Sequence, residues 1–116
     1  MTLPLQITFR HMDPSPALEA RIRELASHLE RHSQHIQRVR VVIEPPSGHH
    51  RAGPFDVTLE IALPGEEIAL RTENAAGATH PDPYAAVNEV FRTGERRLSE
   101  YEDKRRRDVK AHSLPK

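Results

Sequence analysis

The sequence predicts an α+β two-layer sandwich in the order β-α-β-β-β-α, a four-stranded sheet with two helices on one face. Four segments alternate apolar and polar residues with the period of two that marks a half-buried strand. Two further segments carry apolar residues at helical spacing behind proline-containing start signals. The chain has 116 residues, of which 36% are hydrophobic, so it can build one domain with a thin core.

The first half of the chain predicts a strand, a helix and a second strand. Residues 5–9 alternate and form the first strand. Ser15 and Pro16 then indicate a helix start, because a serine hydroxyl accepts a free backbone N–H and proline fits the first helical position. This helix is expected to end near His32. Residues 39–43 predict a second strand, parallel to the first through a right-handed crossover. The apolar stripe of the helix consists of Leu18, Ile22, Leu25 and Leu29.

A β-hairpin is predicted in the middle of the chain. Residues 55–63 show the cleanest alternation in the sequence, with apolar side chains at every second position. The segment 64–67 has turn chemistry, and residues 68–72 alternate again. We therefore expect two antiparallel strands that extend the sheet as a meander.

A long second helix is predicted to complete the domain. It begins at Asp82 and Pro83, which repeat the acceptor-and-proline start signal, and it continues to about Lys110. Gly94 lies within its apolar stripe, which indicates a close crossing over a neighbouring element. Since Arg105 takes the place of an apolar residue in the same line, the last two turns should project beyond the sheet. Residues 1–110 thus form a single domain, and 111–116 are expected to be a flexible tail.

Several classes of function are disfavoured by the composition. Without cysteine the chain has no disulfide, thiolate nucleophile or cysteine zinc site. No stretch approaches the roughly 18 apolar residues of a membrane span, and residues 1–10 lack the pattern of a signal peptide, so we expect a cytoplasmic protein without a membrane partner. No enzyme motif is present. We expect no enzymatic activity, small-molecule substrate, cofactor or metal. Four histidines are the candidate ligands that could in principle converge on a metal: His11, His49, His50 and His80.

A formal net charge of zero conceals an uneven charge distribution. Residues 1–40 carry six Arg and four acids, residues 41–90 carry two Arg and eight acids, and residues 91–116 carry nine Lys or Arg and five acids. The respective balances are +2, −6 and +4. A basic C-terminal end favours a polyanionic partner, with a solvated helix of mixed charge as the alternative.

The basic residues of the second helix are better organised than the histidines. One side of that helix is expected to carry Arg96, Arg97, Lys104 and Arg107. On the first helix, Arg21 shares a flank with His28 and His32, which gain positive charge when protonated. Rows of arginine and lysine neutralise phosphates and release counterions, whereas only 4% of the residues are aromatic. The pattern therefore favours recognition of the shape and backbone of folded RNA.

The second helix also carries a recognisable motif. Its opening Asp82-Pro83-Tyr84-Ala85-Ala86-Val87-Asn88, continuing through Arg96-Arg97-Leu98, resembles the D-x-Y-x-A-I-D signature and basic helix of the bacterial ribosome hibernation-promoting factor and ribosome-associated inhibitor A family. The resemblance implies a translation inhibitor that binds the small ribosomal subunit in the channel for messenger and transfer RNA and silences idle ribosomes. Such a factor needs no oligomer to act.

The resemblance also implies which residues touch RNA. The basic positions of the family fall on Arg31, Arg96, Lys104 and Arg106, and Arg97, Arg105 and Arg107 extend the same surface. Arg21 on the first helix is added to this set. The residues predicted to bind RNA are therefore Arg21, Arg31, Arg96, Arg97, Lys104, Arg105, Arg106 and Arg107. The chain departs from the family pattern at His28, Asn88, Thr93 and Glu100, and residues 78–81 resemble an insertion.

Two further hypotheses remain open at the sequence level. One is a double-stranded RNA-binding module unrelated to ribosomes, because such domains also set helices against a sheet. The other is a protein-interaction module that uses a sheet edge or the acidic middle segment. Asp82 and Tyr84 are expected to be structural, as a helix cap and as packing at the first turn.

Overall fold

The computed structural model describes residues 4–45, 55–72 and 82–113, with side chains in the last range described as far as residue 107. Its elements follow the predicted order. They are β1 (Leu5–Phe9), α1 (Pro16–Leu29), β2 (Arg38–Glu44), β3 (Asp56–Leu63), β4 (Glu66–Arg71) and α2 (Pro83–Ser113). The α+β two-layer sandwich is confirmed.

The four strands form one mixed sheet in the order β1-β2-β3-β4. β1 pairs in parallel with β2, with Leu5 opposite Val39, and α1 makes the crossover between them. β2, β3 and β4 are antiparallel neighbours, and the turn between β3 and β4 places Gly65 at a φ of 81°. This left-handed conformation has little steric cost only for glycine. The predicted parallel pair and meander are both confirmed.

The core lies between one face of the sheet and the two helices. Every second residue of β2 and β3 is buried, as the alternation predicts, whereas the edge strand β1 is only half-buried. Full burial of one aliphatic side chain contributes about 1.5–3 kcal/mol, so these residues dominate the stability of the domain. The helices contribute Leu18, Ile22, Ala26, Leu29, Ala86, Val87, Val90, Phe91, Leu98 and Tyr101.

At Gly94 α2 crosses the sheet at very short range, as its place in the apolar stripe predicts. A Cβ at this position would lie 2.9 Å from Cδ2 of Leu59 and 3.6 Å from Cδ1 of Ile61, both on β3. Ordinary van der Waals contact needs about half an ångström more than the shorter distance. The helix therefore packs directly on β3 because this residue has no side chain.

Both helices end at residues other than those predicted. α1 ends at Leu29 instead of near His32, because the Arg31 and His32 amides bond three residues back and the chain then turns at Ser33. α2 reaches Ser113, three residues past the expected end, and residues 95–113 contain neither glycine nor proline to stop it. Residues 111–113 of the expected tail are thus helical, and 114–116 lie outside the described residues.

A candidate nucleic-acid interface

Four cations line the outer side of α2. Successive residues on a helix differ by about 100°, so these four side chains fall within an arc of about 100° opposite or beside the buried stripe. All four are exposed, and in the described part of the chain none is ion-paired with a carboxylate. We call Arg96, Arg97, Lys104 and Arg107 the outer cationic arc. Free, exposed guanidinium and ammonium groups on one side of a rigid helix can contact successive phosphates.

The unbroken run Lys104–Arg107 does not lie on one face, because its members point in four directions around the helix. Arg105 follows the line of the buried stripe and is half-buried beside Glu102. Arg106 lies on another side and forms an ion pair with Asp103, three residues earlier. The structure therefore groups Lys104 and Arg107 with the arc and places Arg105 and Arg106 elsewhere.

One carboxylate interrupts the outer cationic arc. Glu100 is exposed and, at 100° per residue, falls between Arg96 and Arg97 around the helix axis. It has no partner among the described residues, so its full negative charge opposes the field of the arc. Glu100 therefore weakens the attraction of the arc for a polyanion.

On the α1 side, the two predicted cations have different surroundings. Arg21 faces α2, where its Nε donates to Oδ1 of Asn88 at 3.2 Å, and its Nη1 donates to Oε1 of Glu24 at 3.0 Å. Arg31 is exposed in the connection after α1 and has no ion pair in the described part of the chain. Arg21 therefore ties the helices together, whereas Arg31 is available at the surface.

A polar seam between the helices was missed by the sequence analysis. Asn88, Glu95 and Glu102 are spaced seven residues apart on the side of α2 that meets α1 and the connection behind it. Arg21 bonds to Asn88, His32 Nε2 lies 3.9 Å from Oε1 of Glu95, and His35 bonds to Glu102. The sequence does carry a signal for this seam, namely an amide and two acids spaced seven residues apart, since residues seven apart share a helix face.

Glu102 is the most enclosed carboxylate of this seam, with only 14% of its side chain exposed. Its Oε2 accepts a hydrogen bond from the Ser33 hydroxyl and another from Nδ1 of His35 at 2.8 Å. Burial by itself raises the pKa of Glu102, but the hydrogen bonds from His35 and Ser33, with the charges of His35 and Arg105, outweigh it and lower the pKa. The carboxylate is therefore held in its ionised form.

The first turn of α2 confirms one expectation and corrects another. Oδ1 of Asp82 accepts the Tyr84 amide at 2.9 Å, and its carbonyl accepts the Ala86 amide at 3.1 Å, so Asp82 is the helix cap. Tyr84, expected to pack, is instead 38% exposed. The helix turns Ala86 and Val87 toward the core in its place.

The face of the sheet opposite the helices carries paired charges. A shallow groove of about 310 Å³ is lined by arginines and acids of all four strands or their ends. Arg71 Nη2 lies 2.5 Å from Oδ2 of Asp56, and Arg40 Nη1 lies 3.7 Å from Oε1 of Glu60. Two of the eight acids of the −6 segment, Asp56 and Glu60, are thus offset by arginines on this face, and a phosphate approaching it would meet both signs of charge.

No group of three potential metal ligands comes together among the described residues. Of the four candidate histidine ligands, only His11 is among the described residues. Its Nε2 lies 3.7 Å from Oε2 of Glu44. His49, His50 and His80 lie outside the described residues, as do residues 78–81. None of the described helices is both long and apolar enough to span a bilayer.

Comparison with protein families identifies the chain. A family model described as Sigma 54 modulation protein / S30EA ribosomal protein matches residues 5–106, which include β1 and the described side chains of α2 up to Arg106. The chain belongs to this family. Membership in the S30EA family confirms the resemblance read from the Asp82–Asn88 motif and the basic helix behind it.

Solved structures share the fold of this S30EA family member. A ribosomal subunit interface protein from Coxiella burnetii superposes with a TM-score of 0.69 at 21% identity, over 87% of this chain and 99% of that one. The N-terminal domain of Protein Y from Thermus thermophilus superposes with a TM-score of 0.68 at 15% identity, over the same shares. At these identities the likeness concerns the fold. Comparison with curated protein sequences finds no match.

Proposed function

We propose that this protein binds the small ribosomal subunit in the channel used by messenger and transfer RNA and silences idle ribosomes by occupying it. Membership in the S30EA family supports association with the ribosome. The outer cationic arc supports the proposal, because its exposed cations, unpaired among the described residues, lie on one side of a helix, where they can neutralise phosphates. Arg31, exposed beyond α1, adds a cation outside the arc.

The mechanism is steric exclusion guided by charge. α2 has 31 residues and is about 46 Å long at 1.5 Å per residue, so it presents the arc on a stiff rod. Arginine forks bind phosphate oxygens in pairs, while the scarcity of exposed aromatic rings leaves little for base stacking. No bond is made or broken in this action, so the proposed mechanism requires no catalytic group, and its proposed setting is the cytoplasm.

Charge reversal on the arc tests this proposal. Ribosomes are sedimented through sucrose with the Arg97→Glu/Lys104→Glu variant, and with an Arg23→Glu/Arg38→Glu control that lowers the net charge equally. Arg23 and Arg38 are exposed on α1 and β2, outside the arc, and Arg23 forms an ion pair with Glu19 within α1. We expect the arc variant to lose about thirtyfold in affinity, because two phosphate contacts are lost at physiological salt. The control should bind nearly as the wild type does. Equal losses in both variants would contradict site-specific binding.

Competition distinguishes the ribosome channel from RNA in general. A short RNA duplex is added in excess to the ribosome complex, and messenger RNA with a bound transfer RNA is added in a parallel experiment. The proposal predicts displacement or exclusion by the second ligand and little effect of the first. Displacement by the duplex alone would favour the double-stranded RNA-binding alternative, and indifference to both would favour a protein partner.

A further inference from the structure

A compact polar cluster ties the α1–β2 connection to α2. The Ser33 hydroxyl and Nδ1 of His35 both donate to the same oxygen of Glu102, and the His35 amide donates back to the Ser33 oxygen at 3.0 Å. Ser33 is buried, and the Glu102 side chain is almost so. We call Ser33, His35 and Glu102 the carboxylate clasp. It closes a circuit of three hydrogen bonds between the connection and α2, in which Ser33 and Glu102 are shielded from water and His35 is 36% exposed.

The clasp lies where α2 leaves the core. Tyr101, the last buried residue among the described side chains of α2, donates its hydroxyl to the Pro64 carbonyl at 3.0 Å on one side. Glu102 bonds to the clasp on the other side. Among the described side chains after Glu102, no hydrogen bond or ion pair reaches another element. Tyr101 and the clasp are therefore the two attachments from which the cationic end of α2 projects.

We propose that the carboxylate clasp positions the cationic end of α2 against the ribosomal phosphates and couples that position to pH through His35. The inference rests on the proposed function and deepens it. Lys104 and Arg107 follow the clasp by two and five residues, so they are within about 8 Å of it along the helix axis. Arg31 lies in the same connection, just before Ser33. The clasp therefore also restrains the position of this cation relative to α2.

Protonation of His35 strengthens the clasp. Because Glu102 is ionised, the bond from Nδ1 is already charge-assisted when the imidazole is neutral, and protonation of His35 adds the Coulomb attraction of a full positive charge 2.8 Å from the carboxylate oxygen. The other charge that acts on Glu102 is Arg105, on α2 itself. The titratable neighbours in the connection and at the end of α1 are His28, Glu30, Arg31 and His32, of which His32 faces Glu95. Acidification therefore tightens the attachment of the connection to α2.

Three variants separate positioning from titration. His35→Asn keeps an N–H near the Nδ1 position but cannot titrate, Ser33→Ala removes one donor, and Glu102→Gln removes the charge that both donors hold. His11→Asn is the matched control, because His11 lies at the end of β1 and is 73% exposed. Ribosome affinity is measured between pH 7.5 and pH 5.5, and amide protection factors of residues 103–107 are measured in the free protein.

The wild type and His11→Asn should bind ribosomes about tenfold more tightly at pH 5.5 than at pH 7.5. His35→Asn should show a clearly smaller rise, which is the part contributed by His28 and His32, and Ser33→Ala and Glu102→Gln should lower the protection of residues 103–107 and the affinity together. A wild-type pH profile in His35→Asn would overturn the coupling to pH. Wild-type protection and affinity in both other variants would overturn the positioning role.

Failure of the proposed function has a different signature. A wild-type protein that does not sediment with ribosomes at any pH would contradict ribosome binding. The protection factors of the free protein would still show whether the clasp orders the end of α2, and whether that order rises on acidification only when His35 is present. Retained circular dichroism at 222 nm in each variant shows that the domain remains folded.

Discussion

Glu102 illustrates how one residue links stability to pH. Its pKa is lowered in the folded protein from the model-compound value of 4.5, since its hydrogen bonds and neighbouring charges favour the carboxylate. The resulting stabilisation is complete above about pH 4.5 and is lost as the pH falls through the lower folded value. Ser33, His35 and Arg105 therefore determine the pH at which protonation of Glu102 begins to lower the stability of the fold.

Replacement of Glu102 should therefore matter most at neutral pH. We expect Glu102→Gln to lower the free energy of unfolding by about 1–3 kcal/mol at pH 7, because two donors lose a charged acceptor. The difference from wild type should shrink near pH 3, as the wild-type carboxyl protonates. Urea denaturation at both pH values measures it. Glu100→Gln, an exposed and unpartnered carboxylate two residues earlier, should change little at either pH.

Gly94 makes a second prediction at the scale of a single side chain. Gly94→Ala gains about 1 kcal/mol of helix propensity, but its Cβ would meet Leu59 Cδ2 at 2.9 Å in a filled core, which costs about 1–3 kcal/mol. We expect a net loss of about 1 kcal/mol in chemical denaturation. In a Leu59→Val background, which lacks that methyl group, Gly94→Ala should become neutral or stabilising. The same loss in both backgrounds would show that Leu59 is not the obstacle.

At the scale of an element, the effect of a charge on α2 depends on the side of the helix where it lies. Glu100 sits within the outer cationic arc, so Glu100→Lys converts a repulsive group into a fifth cation of the same surface. We expect ribosome affinity to rise about fivefold, the increment of one phosphate contact. Glu67→Lys, with the same charge change on β4, should have little effect in the same sedimentation assay. An equal rise in both would indicate attraction by net charge alone.

The strands could be predicted from the sequence more fully than the helix surfaces. A period of two fixes which residues of β2 and β3 enter the core, because a slip by one residue would expose them all. The end of α1 could not be predicted, because Ser33 and His35 leave the helical path to bond with Glu102, 69 and 67 residues away in sequence. Apolar periodicity does not encode such long-range polar contacts.

The same distinction explains the candidate site. Helical geometry alone grouped Arg96, Arg97, Lys104 and Arg107, and the structure leaves these cations unpaired among the described residues. Family analogy added Arg106, whose ion pair with Asp103 depends on a rotamer that spacing does not reveal. Arg21 is likewise held by Asn88, a contact between two helices. The RNA contacts of all eight residues stay predictions.

For the whole molecule, the charge distribution predicts how binding responds to salt. The helical side presents free cations, whereas the opposite sheet face pairs Arg40 with Glu60 and Arg71 with Asp56. Four phosphate contacts give a slope of about −3 for the logarithm of the association constant against the logarithm of salt concentration. Arg97→Glu/Lys104→Glu should reduce that slope by about half. Affinity that does not change with salt would instead favour pairing along a sheet edge.

The dependence of the core on α2 has a consequence for biogenesis. α2 packs on both β3 and β4, and no other described helix contacts those strands substantially. A nascent chain must therefore keep the helix-facing side of its hairpin uncovered until α2 has been translated as far as Tyr101, the last buried residue among its described side chains. The segment bearing the arc is thus also the one that completes folding, so a truncated product lacking it would be prone to aggregation rather than a partial inhibitor.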